Sequence, residues 1–515
     1  MNRRHFLAQS FGTGLLASAP ETPAAQPNIL HIMSDQQIWA SIANRSLCRT
    51  PNLNRLIDAG MLFERSYTPS AVCCPARAMI LSGAYHWHNG VYNQIHSAPS
   101  VHRDMNAGVV LYADRLKDAR YRLGYVGKWH ASWVRCPADF GYEMSAVAGC
   151  DPAVLRRHEL NPDRVEAPKA DGKTRPLRYF AWPGANPVAE WGYKEGEVES
   201  THEWYVAESA IRMLTRFAKE AKPWVLETHF VEPHDPYFPL KKYYDRYDPK
   251  SIPVPKSFYD QFEGKPGMHR RESGTWGAVT EDDYRKGRAC YYAYIEQLDA
   301  QIGRILDALD QTGQAGNTLV TFTTDHGDMC GNHRMWIKGW IPYEETYRVP
   351  MIARWPGHIQ PGSRTDRLVQ THDLAHTFVQ AASAKTLPFR DGRALQPLFA
   401  DPRSSSWPDG IMCAYYGGEF LYTQRIAITD RFKYVFNGFD IDELYDLRDD
   451  PEELHNTIED GKYAKYRDDM RARLYEMMDA VEDPYGMPAT WHQSGSRPDR
   501  YGAPRYLPRG KRLAG

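Results

Sequence analysis

The sequence predicts an α/β fold in which helices flank one large, mainly parallel (mixed) sheet. Four apolar runs typical of buried strands each end at polar residues, and they cover 28–33, 122–126, 224–230 and 318–322. Helical patterns separate these runs, as a parallel sheet requires. The composition changes near residue 405, which predicts a smaller C-terminal α+β domain that contains an antiparallel sheet.

The polar residues that follow the four runs predict a functional site. They are Asp35, Gln36, Lys128, His130, His234, Asp325 and His326. In open α/β sheets, sites form beyond the carboxyl ends of the strands, so we expect these side chains to gather at one edge of the sheet. Each residue alone has an ordinary structural explanation, such as a turn cap or a buried histidine, whereas four such clusters indicate a site.

Apolar residues spaced three and four apart predict helices before two of the strands. One stripe lies within 207–218 and the other within 295–309, and core packing explains both. Two tracts rich in Pro, Gly and charge, 137–200 and 241–281, interrupt the pattern. We expect both tracts to fold as loops over the site.

The chain divides into three predicted parts. Residues 1–26 form an export signal, 27–404 form the main α/β domain, and 405–515 form the smaller domain and a polar tail. In the last part, β-rich segments precede a charged amphipathic helix predicted over 463–481.

The N-terminus has the three regions of an export signal. Arg3 and Arg4 precede Phe6, and a short apolar run is followed by a Pro-rich stretch that ends near Ala25. The paired arginines resemble a twin-arginine signal, so we expect a periplasmic or secreted protein; a disordered basic tail is the alternative. No stretch of the sequence is long and apolar enough to predict a membrane span.

The bulk composition is that of an ordinary soluble globular protein, with 515 residues, 42% hydrophobic and 25% charged. A formal net charge of -1 gives no support for nucleic-acid binding, so any recognition of anions has to be local. The eight cysteines include no Cys-x-x-Cys pair of the zinc or thioredoxin type. The sequence assigns neither the disulfide pairing nor the oligomeric state.

The most informative segment is 73–83, Cys-Cys-Pro-Ala-Arg-Ala-Met-Ile-Leu-Ser-Gly. Pro75 suits a first helical turn and Gly83 suits a C-cap, which places Cys73 at a helix N-terminus, where free amides favour an anion. Arg77 lies four residues further on the same helix face and adds a forked cation. The alternative is an inert buried cysteine beside a surface arginine.

This segment fits the signature Cys-x-Pro-x-Arg-x-x-x-Leu-x-Gly, and the chain resembles the type I, formylglycine-dependent sulfatase family of the alkaline phosphatase superfamily. The other motifs that carry the resemblance occur in the family's order at 50–53, 127–130, 233–236, 325–328 and 443–447. The resemblance covers nearly all of the chain after the export signal. It implies an alkaline-phosphatase-like fold and hydrolysis of sulfate esters.

The resemblance also implies a divalent metal and a modified residue. A formylglycine-generating enzyme would oxidise Cys73 to formylglycine, which would complete the metal site. The residues implied as metal ligands are Asp35, Gln36, Cys73, Asp325 and His326. Oxygen ligands suit Ca²⁺, the family's usual ion, or Mg²⁺, whereas Gln36 and His326 replace the commoner Asp and Asn and admit Mn²⁺.

The resemblance gives the remaining residues their roles. Arg77, Lys128 and Lys338 would hold the sulfate group, because fixed cations at its oxygens lower the barrier to S–O cleavage. After attack by the hydrated formylglycine, His234, together with Lys338, would protonate the departing alcohol. His130 would then take a proton from the second geminal hydroxyl, and sulfate would leave.

We therefore predict a sulfuric ester hydrolase that acts on sulfate monoesters, with a sulfated carbohydrate or an aryl sulfate as the substrate. One alternative is a phosphonate monoester or phosphodiester hydrolase of the same superfamily, and Lys128 and His130 argue against it. A second alternative is a non-catalytic exported protein that binds sulfated sugars. The sequence does not indicate which ester is cleaved, or whether the action is endo or exo.

Overall fold

The computed structural model describes residues 26–97, 100–158, 165–168, 173–180, 188–418, 421–438 and 440–484. The predicted export signal up to residue 25 and the predicted polar tail from residue 485 lie outside these ranges.

The strands are β1 (Asn28–Ser34), β2 (Met61–Phe63), β3 (Ser66–Tyr67), β4 (Arg122–Lys128), β5 (Glu143–Ala148), β6 (Thr174–Phe180), β7 (Val188–Lys194), β8 (Trp224–His229), β9 (Thr318–Thr324), β10 (Met351–Arg354), β11 (Ser363–Thr365), β12 (Val369–Gln370), β13 (Gly410–Gly417), β14 (Leu421–Thr429), β15 (Phe432–Asn437) and β16 (Glu443–Asp446). The α-helices are α1 (Ala40–Ala43), α2 (Pro51–Asp58), α3 (Cys73–Ser82), α4 (His86–Asn89), α5 (Tyr112–Asp118), α6 (Pro152–Leu155), α7 (His202–Phe217), α8 (Lys241–Tyr244), α9 (Gly267–Thr275), α10 (Glu281–Gln311), α11 (Glu344–Tyr347), α12 (Asp373–Ala381), α13 (Gln396–Ala400) and α14 (Ala464–Ala480).

The main sheet has the strand order β11-β2-β10-β9-β1-β8-β4-β5. The strands from β9 to β5 are parallel to one another, whereas β10 runs antiparallel to both β9 and β2. The predicted large, mainly parallel and mixed sheet is therefore confirmed. The four apolar runs became β1, β4, β8 and β9, which are neighbours in the sheet, so their carboxyl ends lie side by side.

Helices bury both faces of this sheet, which explains why every residue of β1, β8 and β9 is buried. One core packs α2, α7 and α10 against the sheet, and the other packs α3, α5 and α12 against the opposite face. The stripes predicted over 207–218 and 295–309 lie in α7 and α10 and contribute to the first core, as expected.

The two tracts predicted as loops contain regular structure, so that prediction was wrong in part. Tract 137–200 supplies β5, which extends the main sheet beside β4, and the β6–β7 hairpin. Tract 241–281 contains α8 and α9. The hairpin docks on the segment after β8, because the Gly192 amide donates to the Tyr237 carbonyl at 3.0 Å and the Tyr237 amide donates to the Glu190 carbonyl at 2.9 Å.

A separate antiparallel sheet, β13-β14-β15-β16, forms the C-terminal part of the fold, as predicted. Met470, Leu474 and Met478 of α14 pack on it. The boundary at residue 405 stays a prediction. Among the residues that the structure describes, no helix combines the length and apolar character needed to cross a lipid bilayer.

Candidate functional site

The segment around Cys73 folds as the sequence predicts. Helix α3 begins at Cys73 and ends at Ser82, and Gly83 caps it in the left-handed region with a φ of 66°. A Cβ at Gly83 would lie 2.7 Å from the His376 ring, so both the conformation and the space require glycine. The Cys73 side chain is therefore fixed at the helix N-terminus, and it is only 1% exposed.

Four predicted ligands meet at the carboxyl ends of β1 and β9. One ligand atom from each of Asp35, Cys73, Asp325 and His326 lies within 4.8 Å of the others, and all four residues are buried. The His326 Nδ1 atom donates to the Gly327 carbonyl at 2.8 Å, so Nε2, which lies 3.1 Å from the Cys73 Sγ, is the ring nitrogen that could bind a metal. Two carboxylates and this imidazole nitrogen suit a divalent cation.

Gln36 lies beside this cluster but directs its side chain elsewhere. Its main-chain amide donates to the Asp325 carboxylate at 3.1 Å. Its side-chain amide group donates to Asp235 at 2.8 Å, and its side-chain oxygen accepts from Lys338. The backbone of Gln36 is left-handed, with a φ of 63°. The role of Gln36 as a metal ligand stays a prediction.

Arg77 is buried and uses its guanidinium to hold the cluster together. Its Nε donates to Asp325 at 2.8 Å, and its Nη2 donates to Asp35 at 2.9 Å. Its Nη1 donates to the Lys128 carbonyl at 2.8 Å, at the end of β4. Paired carboxylates with matched hydrogen bonds can stay ionised when buried, whereas unpaired ones would be costly. Direct contact between Arg77 and a sulfate group stays a prediction.

Lys128 and Lys338 make the surroundings of residue 73 electropositive. The Lys128 Nζ donates to Asp35 at 2.5 Å. Burial raises the pKa of the Cys73 thiol, but Lys128, Lys338 and His326 outweigh burial and hold that pKa well below its usual value. Lys128, His234 and Arg77 likewise outweigh burial at Asp35 and lower its pKa. The position of residue 73 is therefore one where negative charge is stabilised.

The two predicted proton-transfer histidines have different hydrogen-bond partners. The Lys338 Nζ lies 2.6 Å from the His234 Nε2, and the His234 Nδ1 donates to the Asp235 carbonyl at 2.8 Å. His130 follows β4 and bonds through Nε2 to the Nδ1 of His96 at 2.9 Å. The structure thus brings every predicted site residue to one sheet edge, and it adds His96, which the sequence analysis missed.

Comparison with known proteins agrees with this geometry. The sulfatase family profile matches residues 27–384, and the profile of the N-sulphoglucosamine sulphohydrolase C-terminal region matches 331–480. An uncharacterized sulfatase of Escherichia coli, YidJ, is 28% identical, and the match covers 89% of this chain and 88% of the relative. An arylsulfatase of Clostridium perfringens is also 28% identical, over 89% of this chain and 96% of the relative.

A solved structure of the phosphonate monoester hydrolase of Agrobacterium radiobacter has the same fold. It superposes with a TM-score of 0.68 at 21% identity, and the match covers 88% of this chain and 95% of that chain. The fold is thus alkaline-phosphatase-like, as the resemblance implied. Because the sulfatase profile matches more than half of the chain, the protein belongs to the sulfatase family and is a sulfuric ester hydrolase.

Proposed function

We propose that this protein hydrolyses sulfate monoesters, with residue 73 as the nucleophile after its maturation to formylglycine. The observation that carries the proposal is the position of Cys73. It lies at the N-terminus of α3, inside a set of buried metal-ligand atoms and close to two lysines that favour negative charge there. A nucleophile and a sulfate group both need such surroundings.

Asp35, Asp325, His326 and residue 73 would hold the divalent metal. When bound, the metal would polarise the nucleophile's oxygen and offset the charge of the sulfate. The two carboxylates favour Ca²⁺ or Mg²⁺, whereas the His326 imidazole admits Mn²⁺. Arg77 keeps both carboxylates oriented toward the site through its hydrogen bonds.

Lys128 and Lys338 would bind the sulfate oxygens. Both side chains act electrostatically on residue 73, and they approach it from β4 and from the loop that precedes α11. Charge shifts onto the sulfate oxygens and the departing oxygen during S–O cleavage, so ammonium groups that are already in position stabilise the transition state.

His234 would protonate the departing alcohol. Its Nδ1 donates to the Asp235 carbonyl, so its Nε2 faces Lys338 and can carry the proton. Burial and Lys338 lower the pKa of His234, but Asp235 and Asp35 outweigh them, and the pKa lies above its usual value. His130 would remove a proton from residue 73 when sulfate is released.

The test is hydrolysis of nitrophenyl sulfate by protein coexpressed with a formylglycine-generating enzyme. Mass spectrometry of the peptide that contains residue 73 measures the extent of maturation, and dialysis against a chelator followed by addition of Ca²⁺, Mg²⁺ or Mn²⁺ identifies the metal. We expect activity in proportion to the matured fraction. Fully matured, metal-loaded protein that binds sulfated sugars without turnover would instead support the non-catalytic alternative.

A second candidate is phosphonate monoester hydrolysis, which the structural match to the Agrobacterium enzyme favours. The position of Lys128 against Asp35, and of His130 two residues later, favours sulfate, because relatives of that class tend to lack this pair. Parallel assays with nitrophenyl sulfate and a phenyl phosphonate ester separate the two. A phosphonate rate far above the sulfate rate would reverse our assignment.

We also propose that the natural substrate is a sulfated carbohydrate or an aryl sulfate, and that the protein is exported in folded form through its twin-arginine-like signal. The paired Arg3 and Arg4 support the export proposal. Screening matured enzyme against sulfated saccharides and small sulfate esters tests the first part. Fractionation of cells that carry an Arg3→Lys, Arg4→Lys variant tests the second, and we expect this variant to stay in the cytoplasm.

A further inference from the structure

A second imidazole contacts the histidine that is predicted to expel sulfate. The Nδ1 of His96 lies 2.9 Å from the Nε2 of His130, and the two ring centroids are 4.8 Å apart. His96 follows α4 in an irregular segment and is exposed, and Trp133 packs beside it with ring centroids 6.2 Å apart. This contact joins two segments that are 34 residues apart in the sequence.

The other ring nitrogen of His130 faces inward. The Nδ1 atom is buried and has no hydrogen-bond partner among the described residues, and Cys73 lies close enough to act on the ring electrostatically. The backbone fixes the ring position, because His130 has a φ of 53° and Gly149 packs against it.

A neutral imidazole has one donor nitrogen and one acceptor nitrogen, so the partner of one nitrogen decides what the other can do. If Nδ1 of His130 is to accept a proton from residue 73, its Nε2 must carry the hydrogen. That hydrogen then needs an acceptor, and the Nδ1 of His96, 2.9 Å away, is in position to accept it. His96 can accept only if its own hydrogen is on Nε2.

We propose that His96 is a positioning residue that holds His130 in the tautomer whose Nδ1 is an acceptor. The inference rests on the proposed function. In the release step, His130 Nδ1 takes the proton of the free hydroxyl on sulfated residue 73. The electron pair of that O–H bond forms the aldehyde C=O, the bond from carbon to the sulfate oxygen breaks, and its electron pair leaves with sulfate. Water then adds to the aldehyde and restores the hydrate.

The test compares His96→Ala with His96→Asn in matured, metal-loaded enzyme, with His102→Ala as the control at another exposed histidine. Asparagine places its side-chain oxygen where the His96 Nδ1 lies, so it can accept the same hydrogen bond but cannot titrate. We expect His96→Ala to lower kcat by about 10- to 100-fold, the range typical when the hydrogen-bond partner of a metal-binding histidine is lost. His96→Asn and His102→Ala should stay close to the wild type.

The kinetic pattern separates positioning from a structural role. Sulfate release follows S–O cleavage, so slow release lowers kcat and KM together and leaves kcat/KM nearly unchanged. Mass spectrometry after rapid quenching should show residue 73 sulfated in His96→Ala and not in the wild type. A parallel loss of kcat/KM, or His96→Asn as slow as His96→Ala, would overturn the proposal.

A readout that needs no turnover distinguishes failure of this inference from failure of the proposed function. Histidine-selective ¹⁵N labelling of unmatured protein reports the His130 tautomer by NMR. We expect the hydrogen on Nε2 in the wild type and His96→Asn, and a shift toward Nδ1 in His96→Ala. An unchanged tautomer in His96→Ala would overturn the positioning role even if the enzyme hydrolyses sulfate esters. Matured wild-type protein without hydrolysis would overturn the proposed function alone.

Discussion

Two buried lysines in this molecule differ in the number of oxygen atoms around their ammonium groups. Lys433, on β15 of the C-terminal sheet, is fully buried, and its Nζ has three oxygen partners: Glu344 at 2.8 Å, Glu453 at 2.8 Å and the Pro342 carbonyl at 3.0 Å. Lys128, at the end of β4, is 8% exposed, and among the described residues its Nζ contacts one oxygen, that of Asp35 at 2.5 Å.

This difference separates a lysine that stabilises the fold from a lysine that can bind a ligand. Lys433 has two carboxylates and one carbonyl within 3.0 Å of its Nζ, as many oxygens as an ammonium group has N–H donors, so adding a ligand there would cost a native contact. Lys128 keeps donor capacity and uses its charge on residue 73, whose pKa it lowers. Burial alone therefore does not distinguish a structural lysine from one that is available to bind a ligand, whereas the number of oxygens around its Nζ does.

The largest expected effect is the loss of the nucleophile. Cys73→Ala should lower kcat on nitrophenyl sulfate by at least about 10⁴-fold, as when the nucleophile of a covalent mechanism is removed. Urea unfolding should show little change, because the site contains strong charge pairs that do not involve Cys73. Cys74→Ala is the matched control at the neighbouring buried cysteine and should mature normally. Comparable loss in both variants would point to misfolding.

The next effect concerns Lys433. Lys433→Met leaves the buried Glu453 without its cation and removes one of two cations from the half-buried Glu344, so we expect the free energy of unfolding to fall by about 3–5 kcal/mol. Urea denaturation measures this change. The kcat of the protein that remains folded should equal that of the wild type. A loss of kcat without a loss of stability would contradict the purely structural role of Lys433.

The reciprocal substitution is Lys128→Met, which should lower kcat/KM by about 10²- to 10³-fold, the usual cost of one electrostatic contact to a transition state. Asp35 keeps its hydrogen bond to Arg77, so the loss of stability should be smaller than for Lys433→Met. Assays and urea unfolding of both variants complete the comparison. If Lys128→Met were the less stable of the two, Lys128 would be primarily a structural residue.

The smallest effect concerns a buried network under the site, in which Glu227 bonds to His229 at 2.7 Å. Burial raises the pKa of Glu227 to about 8 from a usual 4.5, although a bond from Tyr112 acts in the opposite direction. The folded protein therefore holds a proton that the unfolded chain releases above pH 4.5. The stabilisation is complete below pH 4.5 and is lost as pH rises toward 8.

Glu227→Gln removes this dependence. Between pH 5.5 and 7.5, the stability of the variant should rise relative to the wild type by roughly 1.4 kcal/mol per pH unit. Urea unfolding across that range measures the slope, and Glu459→Gln, at an exposed carboxylate, is the control. Parallel pH curves for Glu227→Gln and the wild type would show that Glu227 is ionised in the folded protein.

Much of the fold and the site could be predicted because each element carries its own local signal. The apolar runs, Pro75 and Gly83 define β1, β4, β8, β9 and α3 with little help from distant residues. The carboxyl ends of parallel strands then bring the polar residues together by geometry alone. The sulfatase signature supplied the chemistry that local patterns do not contain.

The missed features depend on tertiary contacts. Strand β5 has the residues Glu-Met-Ser-Ala-Val-Ala, a weak strand signal, and it forms because β4 offers a free edge. The side chain of Gln36 turns toward Asp235 and Lys338 because of partners that are 199 and 302 residues away. His96 lies in an irregular segment, and only packing next to β4 places it against His130.

The burial of Cys73 sets an order of events in the life of the protein. Only 1% of Cys73 is exposed, and α3 packs in the hydrophobic core. A second enzyme could therefore not reach the thiol once the chain has folded. The oxidation that we propose must therefore act on a nascent or extended polypeptide. If the protein is exported through the proposed twin-arginine-like signal, the transporter would receive a chain that is already folded and oxidised. Maturation would then take place before export and catalysis after it.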